Sequence, residues 1–155
     1  LTNVSGNDGG VAACVGDEGE VGGVESVGED ADMAERAGAW ARETGRVVGA
    51  SGETDVVARG SRAFEVRSGD PMLGGVVGTG CMLGVTLATF AAALDDPLEA
   101  SLAGTLSYGL AGEAAAAGAF GEYHGPASYL TAFLDAVAGH DPTADPDDRI
   151  HEVIA

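Results

Sequence analysis

A helical repeat of apolar residues is the first clear pattern along the chain. Apolar side chains recur at i, i+4, i+7 and i+8 behind the acidic residues Glu29 and Asp30, which suit a helix N-terminus. These apolar positions are Met33, Ala37, Trp40 and Ala41. Gly45 follows as a typical helix stop, and residues 46–50 form a short apolar run that predicts a strand. A helix followed at once by such a strand is typical of an α/β fold.

Two extended segments come next, over residues 54–58 and 63–67, separated by a loop that contains Gly60. This arrangement predicts a β-hairpin that follows a turn at residues 51–53. Residues 68–77 are expected to be a loop that leads into Gly-Thr-Gly-Cys at positions 78–81.

The C-terminal half is dominated by apolar helical patterns. We predict a buried helix over 82–94, a second helix from near Pro97 through Ala119, and a third over about 126–138. In the third, one face carries Tyr129, Phe133 and Val137, and the adjacent face carries Leu130 and Leu134.

The two ends of the chain carry weaker signals. The Gly-rich, acidic stretch 1–27 shows no clear periodicity, although residues 11–15 could form a small helix in which Cys14 is a buried small hydrophobe. The acidic, Pro-containing stretch 141–148 is expected to be a loop before a short amphipathic end at 150–154.

Charge excludes two classes of partner. The 155 residues contain 25 Asp or Glu and 7 cations, all of them Arg, for a formal net charge of −18. Such a surface repels nucleic acid and anionic membranes, both of which need cationic patches. The 45% hydrophobic content indicates a folded chain rather than a disordered one. The acidic excess without Lys indicates a protein that stays hydrated at high salt and a salt-loving source.

Length and cysteine content suggest a single domain that works in a reducing compartment. The chain is long enough for one domain with a core of its own. Its two cysteines, Cys14 and Cys81, indicate reduced thiols and a cytoplasmic protein. The longest apolar run, over 82–94, is shorter than the ~20 residues that a membrane span needs.

The Gly78-Thr79-Gly80-Cys81 stretch carries the most chemical information. Its two glycines allow the backbone to approach a ligand, and successive N–H groups at a helix start can bind an anion such as phosphate. The same turn places a thiol where the helix dipole favours the thiolate. Taken alone the pattern is weak, because many Gly-rich helix starts are purely structural.

Several collinear blocks resemble the hydroxyethylthiazole kinase family, of the ribokinase-like fold. They are residues 3–7 (NVSGN), 23–26 (GVES), 51–57 (SGETDVV), 71–73 (PML) leading to 78–83 (GTGCML), and 125–128 (GPAS) with 133–136 (FLDA). The resemblance covers essentially the whole chain. It identifies residues 1–155 as a single, partial kinase domain on the nucleotide side of a three-layer sheet flanked by helices, with the N-terminal part of the fold expected to be missing.

The resemblance implies an activity and a set of site residues. The reaction is transfer of the γ-phosphoryl group of ATP, with Mg²⁺ on the phosphates, to the hydroxyl of 4-methyl-5-(2-hydroxyethyl)thiazole in thiamine biosynthesis. Cys81 falls where related sugar kinases carry an aspartate base, and the N–H groups of Thr79, Gly80 and Cys81 would form an anion hole. Gly78 falls on the thiazole contact, and Ser51 on an ATP-contacting threonine. The family also implies a homotrimer.

Two positions depart from the family pattern. Ser5 stands where the family has an ATP-contacting Arg, and Gly10 where it has a Glu of the phosphate and metal environment. Loss of a bidentate phosphate donor weakens ATP binding, and the chain has no Lys to replace it. The alternative is therefore a degenerate, non-catalytic relative that still binds nucleotide or another ligand. We also expect these residues alone to bind nucleotide weakly and not to phosphorylate the thiazole.

Overall fold

The computed structural model describes residues 3–7, 10, 11, 30–139, 141 and 148–154. The expected small helix at 11–15, with Cys14, lies largely outside these residues. The strands are β1 (Asn3–Asn7), β2 (Val47–Ser51), β3 (Asp55–Arg59), β4 (Arg62–Val66) and β5 (Ile150–Ile154). The helices are α1 (Asp30–Thr44), α2 (Pro71–Gly74), α3 (Thr79–Ala93), α4 (Pro97–Ala116) and α5 (Pro126–Gly139).

The five strands form one mixed sheet in the order β1-β2-β3-β4-β5. Strands β1 and β2 run parallel, with Asn7 opposite Ser51, and the remaining neighbours are antiparallel. The predicted hairpin is confirmed as β3 and β4, with Gly60 in the left-handed region at φ +61°. The amphipathic end is a strand, β5, which pairs antiparallel along β4.

Helices cover both faces of the sheet, which confirms the expected three-layer α/β arrangement. Helix α1 packs Met33, Ala37 and Ala41 on one face, against a set of small strand residues. These are Val48, Ala50, Val56, Ala58 and Ala63. The opposite face packs against Leu98, Leu102 and Leu106 of α4 through Val47, Val57, Phe64 and Val66. Because successive side chains of a strand point to opposite faces, the same short strands contribute to the core under α1 and to the core under α4.

Helix α1 matches its prediction, and its end is set by Gly45. This glycine has φ +66° and donates its N–H to the Ala41 carbonyl at 3.0 Å. The expected loop 68–77 instead contains the short helix α2, which begins after Asp70. The Asp70 carboxylate accepts the Met72 N–H at 2.9 Å, so an Asp-Pro pair starts a helical turn that apolar periodicity does not reveal.

The prediction of a buried helix over 82–94 is wrong in one respect. Helix α3 buries Thr79, Leu83 and Leu87. Its Val85 side chain is 68% exposed, and the alanines of the helix are also exposed to solvent. An apolar sequence shows that a helix can be buried, but it does not show which faces of the helix pack against the rest of the protein. Helix α5 likewise buries Tyr129 and Phe133 but leaves Val137 exposed. None of the helices within the described ranges combines the length and apolar character needed to span a lipid bilayer.

Candidate phosphate-binding site at the start of helix α3

The candidate site lies at one edge of the sheet. Strand β2 ends there at Ser51, and β3 begins there at Asp55. Because β4 runs antiparallel to β3 and pairs Val66 with Asp55, the chain leaves β4 at this same edge and enters the loop that leads to α3. The carboxyl ends of strands are where open α/β sheets bind ligands. Ser51 and the start of the 67–78 loop therefore share an edge, as the functional interpretation requires.

Glycines of helix α4 hold that loop in close contact. A Cβ built on Gly109 would lie 2.8 Å from the Ser68 carbonyl carbon, and one on Gly112 would lie 2.7 Å from Leu73 Cδ1. One turn away from Gly109, the Glu113 carboxylate accepts the Gly69 N–H at 3.0 Å. At Gly109 the conflict would be with the loop backbone, so only a position without a side chain allows the loop to approach the helix this closely.

Arg149 adds a second attachment for the loop. Its guanidinium makes two 3.0 Å bonds to the two oxygens of Glu113 and a third to the Arg67 carbonyl. The bidentate pair has a fixed geometry, unlike a single exposed ion contact. The residue just before β5 thus ties the C-terminal strand to the loop that precedes the site.

The first turn of α3 leaves backbone donors without helical partners. Gly78 is the N-terminal capping residue at φ +101°, and no side chain caps it. The first bond inside the helix runs from the Met82 N–H to the Gly78 carbonyl at 3.0 Å. The N–H groups of Gly80 and Cys81 precede that bond, so no helical carbonyl is available to them. Because no acidic residue lies in this turn, it can accept an anion.

The three predicted donors of the anion hole are not equivalent. The Thr79 N–H is directed at the Val76 carbonyl at 3.4 Å, and the Thr79 hydroxyl lies 2.8 Å and 2.9 Å from the carbonyl oxygens of Leu73 and Val76. Thr79 is buried and binds the loop behind the helix. The donors available for a ligand are therefore those of Gly80 and Cys81.

The two glycines of the motif have different roles. Gly78 needs its left-handed backbone conformation, which other residues rarely adopt. Gly80 has no such conformation, and a Cβ built on it would meet nothing within 4 Å. A side chain at position 80 would therefore be tolerated by the fold and would project into the space in front of the helix.

Cys81 is a free, exposed thiol in the first turn of α3. Its helical neighbour at i+4, Val85, is 68% exposed, and Val77, just before the capping residue Gly78, is 97% exposed. The thiol is thus accessible on a largely apolar, open side of the helix.

Ser5 and Gly10 occupy small, close positions near β1. Ser5 is exposed on β1 opposite Gly49, and its Oγ lies 4.0 Å from where a Cβ of Gly84 would be. It therefore lies beside α3, one turn beyond Gly80. The Gly10 N–H donates to Asn7 Oδ1 at 2.9 Å, and a Cβ on Gly10 would lie 3.1 Å from that oxygen. The structure brings Ser5 to the candidate helix and places Gly10 just after the β1 end that adjoins Ser51.

Two ionisable residues near the site escaped the sequence analysis. The Tyr108 hydroxyl on α4 donates to the Thr79 carbonyl at 2.6 Å. Burial raises the pKa of the Tyr108 phenol, and the neighbouring Tyr129 and Asp55 add to the effect. Burial also raises the pKa of Asp55 to about 6, against the lowering effect of the Gly52 N–H that its carboxylate accepts. Neither role has a local sequence signal, because Tyr108 is one of several polar residues of α4 and Asp55 lies at the start of β3.

Protein ligands for a metal are scarce here. Among the residues that the structure describes, no group of three His, Cys, Asp or Glu side chains could hold a metal ion. Gly10 adds no carboxylate, so the described residues do not form a protein cage for Mg²⁺.

Comparison with known proteins agrees with this architecture. The model of the hydroxyethylthiazole kinase family matches residues 1–140. The hydroxyethylthiazole kinase of Haloquadratum walsbyi is 58% identical over 98% of this chain and 54% of its own length, and that of Natronomonas pharaonis is 55% identical over 100% and 56%. Both organisms are halophilic archaea, which agrees with the salt-loving source expected from the acidic composition of this chain. The chain spans about half the length of these curated relatives.

A solved structure supports the same assignment. The hydroxyethylthiazole kinase protein from Pyrococcus horikoshii OT3 superimposes with a TM-score of 0.77 at 27% identity, over 99% of this chain and 55% of that one. The shared fold confirms the α/β class expected from the sequence. With the family match and the two close relatives, it shows that the chain belongs to the hydroxyethylthiazole kinase family.

Proposed function

We propose that this chain is a single kinase domain that forms the nucleotide side of a hydroxyethylthiazole kinase. The reaction transfers the γ-phosphoryl group of ATP to the hydroxyl of 4-methyl-5-(2-hydroxyethyl)thiazole. The observation that carries the proposal is the uncapped first turn of α3, which offers two backbone donors and an exposed thiol at one place. Family membership supplies the reaction, and this turn is suited to its phosphoryl group.

Each part of the turn has a proposed role. The N–H groups of Gly80 and Cys81 bind the transferred phosphoryl group and stabilise the charge that develops on it. The Cys81 side chain orients the attacking hydroxyl and, as the thiolate, accepts its proton. Gly78, whose backbone stands in front of the helix, contacts the thiazole. No covalent bond to the protein is needed, because the phosphoryl group passes directly between two oxygens.

ATP is proposed to lie along the sheet edge that ends at Ser51. The Ser51 hydroxyl contacts the nucleotide, and Ser5 occupies the position of the family's ATP-contacting Arg without its charge. Mg²⁺ would accompany ATP and would be held by phosphate oxygens, as is usual for this ion. Because the described residues form no cage for it, no step here is assigned to the metal.

A homotrimer in the cytoplasm is the proposed state of the protein. Val85 on the outward side of α3 and Val77 in the loop before it are exposed apolar residues of the kind that association covers. Analytical ultracentrifugation at molar KCl tests this, and a monodisperse monomer would contradict it.

Calorimetric titration of ATP into the chain at molar KCl tests the phosphate site. Gly80→Val should weaken ATP binding at least tenfold, because the side chain has room in the fold but stands where the phosphate must approach. Ala88→Val is the matched control, since Ala88 is exposed on the same helix two turns away. Equal ATP affinity in the parent and Gly80→Val would reject the site.

Turnover distinguishes catalysis from binding alone. ATP-dependent phosphorylation of the thiazole is the activity expected of the complete enzyme. If that enzyme binds ATP but releases no ADP when the thiazole is added, the protein is instead a non-catalytic relative that only binds the nucleotide. The absence of charge at Ser5 and Gly10 is the observation that favours this alternative.

A further inference from the structure

The Thr79 carbonyl is held by a residue from another helix. Tyr108 on α4 donates its hydroxyl proton to this oxygen at 2.6 Å, across 29 positions of sequence. In a trans peptide the C=O and the following N–H point in opposite directions in one plane. Thr79 is the first residue of α3, so its carbonyl points along the helix and the Gly80 N–H points the opposite way, into the space in front of α3. The Tyr108 hydroxyl bonds this carbonyl from outside the helix and so restrains the orientation of the peptide.

The position of Tyr108 is itself rigid. Its side chain is 6% exposed, and its ring meets that of Phe133 edge to face, with centroids 4.9 Å apart and planes at 81°. Aromatic pairs of this geometry are favourable beyond the area that they bury. Because burial and neighbouring groups raise the pKa of the phenol, the hydroxyl keeps its proton and remains a donor.

The first turn is the part of a helix that most needs such support. Its N–H groups make no helical bonds, and helix ends fray. Gly80 has no side chain to restrict its backbone, and Gly78 before it is in a left-handed conformation. An external contact to the peptide between Thr79 and Gly80 therefore reduces the freedom of the donor that faces the ligand.

We propose that Tyr108 is a positioning residue for phosphoryl transfer: through the Thr79 carbonyl it orients the Gly80 N–H toward the phosphate. The ligand in this inference rests on the proposed function, whereas the restraint on the peptide rests on the hydrogen bond from Tyr108 to the Thr79 carbonyl. Because Tyr108 is buried, it is assigned no contact with ATP or the thiazole.

Tyr129 provides a matched control within the same aromatic cluster. It is fully buried, its ring stacks on Phe133 at 6.2 Å, and its hydroxyl donates to the Gly112 carbonyl at 3.2 Å. Tyr129→Phe thus also removes a buried hydroxyl bonded to a helix carbonyl, but that carbonyl belongs to α4 and not to the candidate site.

The test compares Tyr108→Phe with Tyr129→Phe by ¹⁵N relaxation of the Gly80 and Cys81 amides and by ATP titration. Tyr108→Phe should lower the order parameters of both amides and weaken ATP binding roughly fivefold, because a less ordered Gly80 N–H contributes less than a full hydrogen bond to the phosphate. Tyr129→Phe should leave both within twofold of the parent. Denaturation midpoints of the two variants show that both are folded.

The outcomes separate the two proposals. Unchanged amide order and ATP affinity in Tyr108→Phe, or equal losses in Tyr129→Phe, would overturn the positioning role. If the parent binds no ATP while amide order falls only in Tyr108→Phe, the proposed function is rejected and the orienting role of Tyr108 is upheld.

Discussion

Gly109→Ala should destabilise the protein, although alanine is the better helix former. A Cβ at this position would lie 2.7 Å from the Ser68 Cβ and 2.8 Å from the Ser68 carbonyl carbon, and closer still to the Ser68 hydroxyl. The conflict is with backbone, so a change of side-chain rotamer cannot relieve it. The loop at Ser68 must move away from α4, and the 3.0 Å bond from the Gly69 N–H to Glu113 lengthens with it.

The expected magnitude is a difference of two effects. Overpacking of a tight contact costs about 1–3 kcal/mol, and a backbone clash belongs at the upper end. Replacing Gly by Ala inside a helix returns up to ~1 kcal/mol. The net loss in the free energy of unfolding is therefore about 2 kcal/mol.

Two other glycines calibrate this figure. At Gly112 the conflict is with the end of the flexible Leu73 side chain, and at Gly80 the space is open. Gly112→Ala should therefore be close to neutral, while Gly80→Ala should be as stable as the parent or more so. All three substitutions add the same methyl group to a helix, so the rank order reports the contacts alone.

Urea denaturation followed by far-UV circular dichroism at molar KCl measures the series. The slope of the transition should be unchanged, so that midpoint shifts report stability. A Gly109→Ala variant as stable as Gly80→Ala would show that the loop does not press on α4, and the reasoning would be wrong.

The remaining predictions concern the thiol, a buried carboxylate and salt. Cys81 should be alkylated by iodoacetamide faster than Cys14, and ATP should slow the labelling of Cys81. If Cys14 is labelled first, or if ATP has no effect, Cys81 lies outside the site. The folded-state pKa of Asp55 is raised from 3.8 to about 6, so its contribution to stability is greatest below 3.8 and is lost as pH rises through about 6. Asp55→Asn should therefore raise the free energy of unfolding at about pH 8 by up to about 3 kcal/mol, with little difference near pH 4. An effect of equal size at both pH values would refute burial as the cause. With a net charge of −18, the thermal midpoint should rise from low to molar KCl, and a flat or falling midpoint would contradict charge screening.

Local sequence signals determined much of the secondary structure. The apolar repeat from Met33 to Ala41 and the stop at Gly45 set α1, because both the buried stripe and the left-handed glycine are local requirements. The hairpin at Gly60 and the helix that follows Gly78 were recoverable for the same reason. The Gly-Thr-Gly-Cys motif also marked the candidate site, since a run of free N–H groups at a helix start depends on only a few adjacent residues.

Tertiary structure decided what those elements face. Apolar composition alone predicted a buried α3, but the sides that carry Val85 and the alanines are uncovered in the described structure. Strand β5 became a strand only because β4 offers it an edge. Tyr108 and Gly109 matter through Thr79 and Ser68, which lie 29 and 41 positions earlier in the chain. Such contacts join residues far apart in sequence, and no local propensity or period encodes them, because their free energy depends on where two separately formed elements meet.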